Sequence, residues 1–339
     1  MVRLAVDATA IAPDAKGIGR VARGTAEALA ARGIDVVALV RRGAEIGVPV
    51  ELVRPRPAVL WEQTGLAAAG RRHDCVLTFT ERLPLMSGGR FLIWLFELPT
   101  HRIAENRRGG GFYQRASDLL TAVLWRHSLR RAVKVLAGSQ ATADELRKAM
   151  PELDARVVYP GVDERFRPGT LAAGRHYFLH LGSSDPRDNT EAVISAFERA
   201  RAAFSDPVRL VVAGGASGDR REGVEFVGHV SDRELIDLYR GATAFVDAVL
   251  YEGFGYGPLE AMACGAPVVA SSVGAVREVV GDAALLCDPR SPSELAEALV
   301  RIVERPAEAQ ELRARGLERA QQFTWERTAD ALVAALELD

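Results

Sequence analysis

Two glutamates eight positions apart, Glu252 and Glu260, bracket the most chemically suggestive stretch of this 339-residue chain. Between them run Gly253, Phe254, Gly255, Tyr256, Gly257, Pro258 and Leu259. Glycine carries no Cβ, so Gly253, Gly255 and Gly257 let the backbone come close to a ligand. Pro258 suits the start of a helix, so Leu259 onward would present free N–H groups at the positive end of a helix dipole. Such an end suits a diphosphate. Carboxylates at 252 and 260 could accept hydrogen bonds from sugar or ribose hydroxyls around a bound nucleotide sugar. Taken alone, the residues leave a blander reading open, with Glu260 a dipole-favourable acid near a helix start and Glu252 a solvated loop acid.

The elements that must position this turn alternate between strand-like and helix-like patterns. In the first half, Leu4–Val6, Val36–Val40, Cys75–Phe79, Phe91–Phe96 and Val133–Ala137 have the continuous apolar character of buried parallel strands. A loop holding Gly17, Ile18 and Gly19 precedes a helix over about 20–31, ended by Gly33. Thr142-Ala143-Asp144-Glu145 reads as a capping box opening a helix to about Met150. A turn-rich linker runs from Pro160 to Pro168. The alternation then restarts, with strands at Tyr177–Leu181, Val208–Ala213, Val224–Val227, Thr243–Val246 and Pro267–Ala270. Helices are expected over Thr190–Phe204, after Ser231, over Pro258–Cys264 and after Ser291. Strands joined by helical crossovers, twice over, give an α/β chain of two doubly wound Rossmann-like domains. Ligands bind beyond the carboxyl ends of such strands, and with two domains the expected site is the cleft between them.

Composition narrows the function classes. Apolar residues make up 48% and charged residues 26%, ordinary for a packed globular protein. A net charge of −2 argues against a general nucleic-acid binder. The first 165 residues nevertheless carry 25 Lys+Arg against 18 Asp+Glu, and the remainder 18 against 27. The basic half could face an acidic acceptor or an anionic membrane, or simply attract the acidic half. Three cysteines, Cys75, Cys264 and Cys287, read as buried thiols in a reducing compartment. With neither a leader pattern nor a bilayer-length apolar run, the expected location is cytoplasmic.

The frame Glu252-Gly253-Phe254-Gly255, Leu259-Glu260-Ala261-Met262-Ala263 and Gly265-Ala266-Pro267-Val268-Val269 resembles the signature of the retaining GT-B glycosyltransferases of family four, the glycosyl transferases group 1. Gly17-Ile18-Gly19-Arg20 is similar to that family's N-terminal glycine loop. Val158–Asp163 with Phe166-Arg167-Pro168 resembles its linker, and Phe323-Thr324-Trp325-Glu326 its last helix. The resemblance implies an acceptor-side domain over 1–165, a nucleotide-sugar domain over 166–322, and a helix over 323–339 that crosses back to the first domain. It implies that Glu252 contacts the transferred sugar and Glu260 the ribose. Backbone groups of Phe254, Gly255 and neighbouring Tyr256 would face the sugar and phosphate, and Gly228-His229-Val230-Ser231 the donor base. Gly17 and Gly19 would admit the diphosphate and acceptor. The implied reaction is retaining transfer of a hexosyl residue, mannose first, from a GDP-, UDP- or dTDP-linked sugar to a hydroxyl. No metal and no separate cofactor are expected, since no tight acidic cluster such as Asp-x-Asp occurs.

Three positions depart from the family pattern. Its usual Arg and Lys on the diphosphate fall, within Leu181-Gly182-Ser183-Ser184-Asp185-Pro186-Arg187-Asp188, at Ser183 and Asp188. Arg187 is the candidate replacement cation, against a surface arginine. The usual His-Asp pair falls at Phe96-Glu97, which makes Glu97 a candidate at the sugar or acceptor and His101 a weaker one. These departures motivate an alternative: a catalytically weak sugar-nucleotide-binding subunit partnering an active relative. Residues 100–135 interleave Arg102, Arg107, Arg108, Arg115, Arg126, Arg130 and Arg131 with apolar residues. That segment could touch a membrane surface and a lipid-linked acceptor, or be a solvated basic face.

Overall fold

The structure is a computed structural model that describes residues 3–11, 17–41, 46–54, 58–86, 88–101, 112–169, 176–204, 206–216, 218 and 220–336. The chain divides into two compact units, Met1–Gly161 with Trp325–Asp339, and Val162–Thr324. Their boundaries fall at 161/162 and 324/325, beside the 165/166 and 322/323 taken from the sequence.

Among the described residues the first unit holds a parallel sheet in the order β3-β2-β1-β4-β5-β6-β7. Its strands are β1 Arg3–Asp7, β2 Asp35–Val40, β3 Val50–Leu52, β4 Cys75–Thr78, β5 Phe91–Leu95, β6 Lys134–Ala137 and β7 Ala155–Val157. All five residues of β5, Phe-Leu-Ile-Trp-Leu, are buried, because helices cover both faces of a doubly wound sheet. The register runs Val6 beside Leu77 and Ala5 beside Val76, and the order reverses between β1 and β4. The helix Ile18–Ala31 buries Val21, Ala22, Thr25, Ala26 and Leu29, one stripe of a 3.6-residue period. The last helix, Trp325–Leu336, lies against it. The Trp325 indole fills the space that a side chain at Gly24 would need, and Arg32 clasps Asp330 at 2.6 and 2.8 Å.

The second unit repeats the plan in the order β10-β9-β8-β11-β12-β13, all parallel. Here β8 is Tyr177–Gly182, β9 Arg209–Gly214, β10 Val224–Gly228, β11 Ala244–Asp247, β12 Val268–Ser271 and β13 Leu285–Cys287. The order reverses between β8 and β11. Phe178, Phe197, Leu210, Val246 and Leu299 share its core, each fully buried side chain contributing about 1.5–3 kcal/mol.

Several local expectations are corrected. Ser139, not Thr142, caps the helix Gln140–Ala149: its side chain accepts from the Thr142 N–H, and the Thr142 hydroxyl donates to the carbonyl of Phe96. The long helix from Thr190 ends at Ala200 and tightens to a 3-10 turn over Arg201–Ala203. The helix in the glycine-rich stretch begins at Tyr256, two residues before Pro258. The caps expected at Ser231 and Ser291 form, each serine accepting the N–H three residues on. Among the described residues no helix is long and apolar enough to cross a membrane. All three cysteines are buried and unpaired.

Candidate active-site elements and family membership

In the second unit the sequence-selected residues collect at the carboxyl ends of β8, β10 and β11, around the point where the strand order reverses. This is where a doubly wound sheet leaves a crevice. Backbone contacts stitch the loops together: the Leu250 N–H donates to the Arg187 carbonyl at 2.8 Å, and the Asn189 amide to the Ala248 carbonyl at 3.0 Å. A Cβ on Gly182 would lie 2.5 Å from the Thr190 hydroxyl, and one on Gly214 2.3 Å from the Gly182 carbonyl. Only glycine permits that approach. On the far side, exposed His229 reaches back over Gly215, while Val230 follows in the same loop.

The loop after β11 turns into the helix Tyr256–Cys264 through Gly255, whose φ of 109° is in the left-handed region that a side chain would strain. The Tyr256 N–H at the helix start is accepted by the carboxylate of Glu252. Gly253 leads into that turn, Phe254 is buried against Tyr256 and Phe323, and Leu259 is wholly buried, leaving its backbone as its polar part. Glu260 therefore stands at the fifth helical position, not in the first turn as expected. It is 4% exposed, and Tyr239 donates its hydroxyl to it at 3.3 Å.

The electrostatics are acidic. Burial, then the charges of Asp247 and Asp188, push the Glu252 carboxyl above the usual carboxylate range. Burial followed by Asp188 does the same to Asp247, one of whose oxygens is buried without a hydrogen-bond donor. Beneath them His180 is fully buried. Its Nδ1 faces the Val246 carbonyl at 2.9 Å, so Nδ1 carries the proton and Nε2 accepts from Thr190 at 3.1 Å. Burial holds this imidazole neutral. Arg187 grips Asp185 with two nitrogens, at 3.0 and 2.8 Å. Asp188 turns to Ser183, and does not project as a free anion.

Gly17, Gly19 and Glu97 belong to the first unit. Gly17 precedes the helix Ile18–Ala31 with a φ of 54°, Gly19 is buried in its first turn, and Glu97 is half-buried beyond β5. His101, the weaker candidate beside Glu97, is bonded to Glu145 at 3.0 Å. Of the basic segment, Arg102, Arg107 and Arg108 lie outside the described residues. The helix Phe112–Arg131 exposes Leu119 and Val123 but buries Trp125 and Leu129.

The first unit also holds a cavity that no sequence motif announces. Its volume is about 330 Å³, and it opens where the order reverses between β1 and β4. Asp7 ends β1, Arg41 follows β2, Phe79 and Glu81 follow β4, and Trp61 and Glu62 project from a π-helical turn, Trp61–Gly65. Such turns recur at functional sites. Arg82 donates to Glu62 at 2.8 Å and to the Ser117 carbonyl and hydroxyl at 3.0 and 2.8 Å. Asp7 accepts from the hydroxyls of Thr9 and Thr78 at 2.7 and 3.2 Å. Asp118 forms the remaining acidic wall. Glu97 does not line this cavity.

Comparison with known proteins finds similar chains. Residues 175–305 match the family model described as glycosyl transferases group 1. The chain is 32% identical over 178 residues to the O-antigen chain mannosyltransferase B of Escherichia coli, covering 49% of this chain and 47% of that protein. It is 35% identical over 245 residues to the D-inositol 3-phosphate glycosyltransferase of Saccharomonospora viridis, covering 60% of this chain and 54% of that one. The chain thus spans about half the length of the curated relatives it matches. The sucrose-phosphate synthase structure from Thermosynechococcus elongatus superposes with a TM-score of 0.79 at 22% identity, over 99% of this chain and 98% of that one, a likeness of fold. The chain has the GT-B fold of two Rossmann-like α/β units, and its residues 175–305 match the glycosyl transferases group 1 family model.

Proposed function

We propose that the chain transfers a hexosyl residue, mannose as the first expectation, from a nucleotide-diphosphate sugar to a hydroxyl acceptor with retention of configuration and without a metal. The observation that carries this reading is the helix start at Tyr256, set at the strand-order reversal of the second sheet and bracketed by Glu252 and Glu260. Its N–H groups and dipole suit the charge that develops on a departing diphosphate. The acceptor oxygen bonds to the anomeric carbon as the bond to the phosphate oxygen breaks on the same face, and the departing phosphate oxygen takes the acceptor's proton. No protein nucleophile is needed. Glu252, held largely neutral, can touch the sugar hydroxyls without repelling the diphosphate. Glu260 beside Tyr239 is the proposed ribose contact, and Arg187 the cation on the leaving group. The family match and the mannosyltransferase relative support the reaction class. The three buried thiols support a reducing, cytoplasmic setting.

A second reading draws on one observation: Arg187 is already engaged by Asp185. It makes the chain a sugar-nucleotide-binding subunit of weak activity beside an active relative. One experiment separates the two. The purified chain is incubated with GDP-mannose, UDP-glucose and dTDP-glucose, and free sugar is measured. Thermal melts with GDP, UDP, ADP and dTDP run in parallel, since a ligand of the native state raises its stability. Hydrolysis of one donor, lost in Glu252→Ala, supports the enzyme. Nucleotide stabilisation without hydrolysis supports the subunit. Neither effect overturns both.

A further inference from the structure

We propose that the cavity of the first unit holds a polyhydroxylated acceptor bearing a protonated amine, an amino sugar or aminocyclitol, with its ammonium seated against Asp118. The role as acceptor rests on the glycosyl-transfer reading above; the binding chemistry does not.

The described walls carry four carboxylates, Asp7, Glu62, Glu81 and Asp118, against two guanidiniums, Arg41 and Arg82. The Glu62–Arg82 pair neutralises itself, its side chains each 6% exposed. Glu81 is engaged elsewhere, which leaves Asp7 and Asp118 facing Arg41. A phosphate or carboxylate in that space would meet a net like charge, which disfavours it. The excess is opposite in sign to the basic balance of the first 165 residues, so the unit's overall charge does not forecast its cavity.

Asp118 supplies the independent observation. Its residue is 6% exposed, and among the described residues its side chain has neither a hydrogen bond nor an ion pair, although it faces the cavity. An ammonium group would answer it with charge-assisted hydrogen bonds. Arg41 shows the complementary vacancy, a buried Nε with no acceptor, which a hydroxyl oxygen would satisfy. Asp7, already fixed by two threonine hydroxyls, keeps lone pairs for further donors. Trp61 and Phe79 add apolar wall for the face of a ring. A volume of about 330 Å³ is near the lower limit for small-molecule pockets and suits a single ring.

The test measures binding to the full chain by calorimetry at pH 7. The probes are glucosamine, galactosamine and mannosamine, each beside its N-acetyl form and its parent hexose, with glucose 6-phosphate as the anionic probe. At least one free amine should bind tenfold or more tightly than its N-acetyl and parent forms, and than glucose 6-phosphate. Asp118→Asn should abolish that advantage, while Arg41→Gln should preserve or enlarge it. Equal or better binding of the acetylated, parent or phosphorylated forms overturns the proposal. So does an amine preference that survives Asp118→Asn, or no binding by any probe at millimolar concentration. Should Asp118→Asn fail to fold, the wild-type panel and Arg41→Gln still decide. Donor hydrolysis needs no acceptor, so failure here leaves the transfer reading standing, and its own failure leaves this one.

Discussion

The carboxylate of Asp188 accepts both the backbone N–H and the hydroxyl of Ser183, at 2.6 and 2.5 Å. The two positions that depart from the family's Arg and Lys are thus bonded to each other, and they close the loop after β8. Asp188→Ala should lower unfolding stability by about 1 kcal/mol, because two partly solvated hydrogen bonds disappear. Asp188→Asn should cost less than half as much, since the amide oxygen still accepts. Urea titrations followed by circular dichroism measure both.

Arg187 should act on turnover more than on stability. Arg187→Ala frees Asp185 as an additional anion beside the proposed diphosphate site. Donor turnover should fall by roughly tenfold or more, a loss of at least about 1.4 kcal/mol in transition-state stabilisation. Near-wild-type turnover would remove Arg187 from the leaving-group role and leave only its ion pair.

The acids of the second unit predict a pH dependence of stability. Asp247 and Glu252 are both held above their unfolded values by burial and neighbouring charge. Across the window between the unfolded carboxylate range near pH 4 and the raised folded values, the native state binds more protons than the unfolded chain. Stability therefore declines as pH rises through that window, and the full cost is present above it. Asp247→Asn should flatten the slope and stabilise the protein by roughly 1–3 kcal/mol at pH 9 relative to its effect at pH 4. Thermal melts from pH 4 to 9 read this directly, and a slope unchanged by the substitution would contradict it.

The Glu62–Arg82 pair is deeply buried, and removing one member leaves the other without compensation. Arg82→Met should destabilise by about 3–5 kcal/mol. Glu62→Gln should cost less, because burial already pushes the Glu62 carboxyl upward against the pull of Arg82. Denaturant midpoints of the two variants should rank in that order.

Gly24 gives a test of how the last helix is seated. A Cβ there would come within 2.2–2.6 Å of the Trp325 indole, a rigid ring with no flexible end to withdraw. Gly24→Ala should displace Trp325, red-shift its fluorescence and lower stability by about 1–3 kcal/mol, the usual cost of overpacking. Gly33→Ala, where an added Cβ meets nothing, tests the left-handed φ of 80° alone and should leave the indole unmoved.

Much of the fold is legible because buried parallel strands announce themselves as unbroken apolar runs. Phe91–Leu95 and Ala244–Asp247 fall within a residue of expectation. Starts of helices are less legible, because they depend on one dihedral angle. Pro258 was an attractive first helical residue, yet Gly255 turns the chain early and proline is tolerated inside the first turn, where its missing N–H costs little. That two-residue shift moves Glu260 from the first turn to a buried place beneath Tyr239. At the second site the loop acids and glycines were visible as a motif. The engagement of Arg187 by Asp185 was visible only as two charges two residues apart, a spacing too common to interpret. The cavity of the first unit has no linear signature. Asp7, Arg41, Glu62 and Asp118 are scattered over the chain, and only the return of successive parallel strands to one end of the sheet gathers them.

The division of the chain bears on how it is made. The second unit occupies one unbroken stretch, Val162–Thr324, whereas the first is interrupted by it and recovers its helix at Trp325–Leu336 only afterwards. A ribosome therefore delivers every residue of the later unit before it delivers the piece that seals the earlier one. Until then the groove beside Gly24 stands open to solvent on the nascent chain. Clipping at the C-terminal end would injure the half of the molecule that was synthesised first.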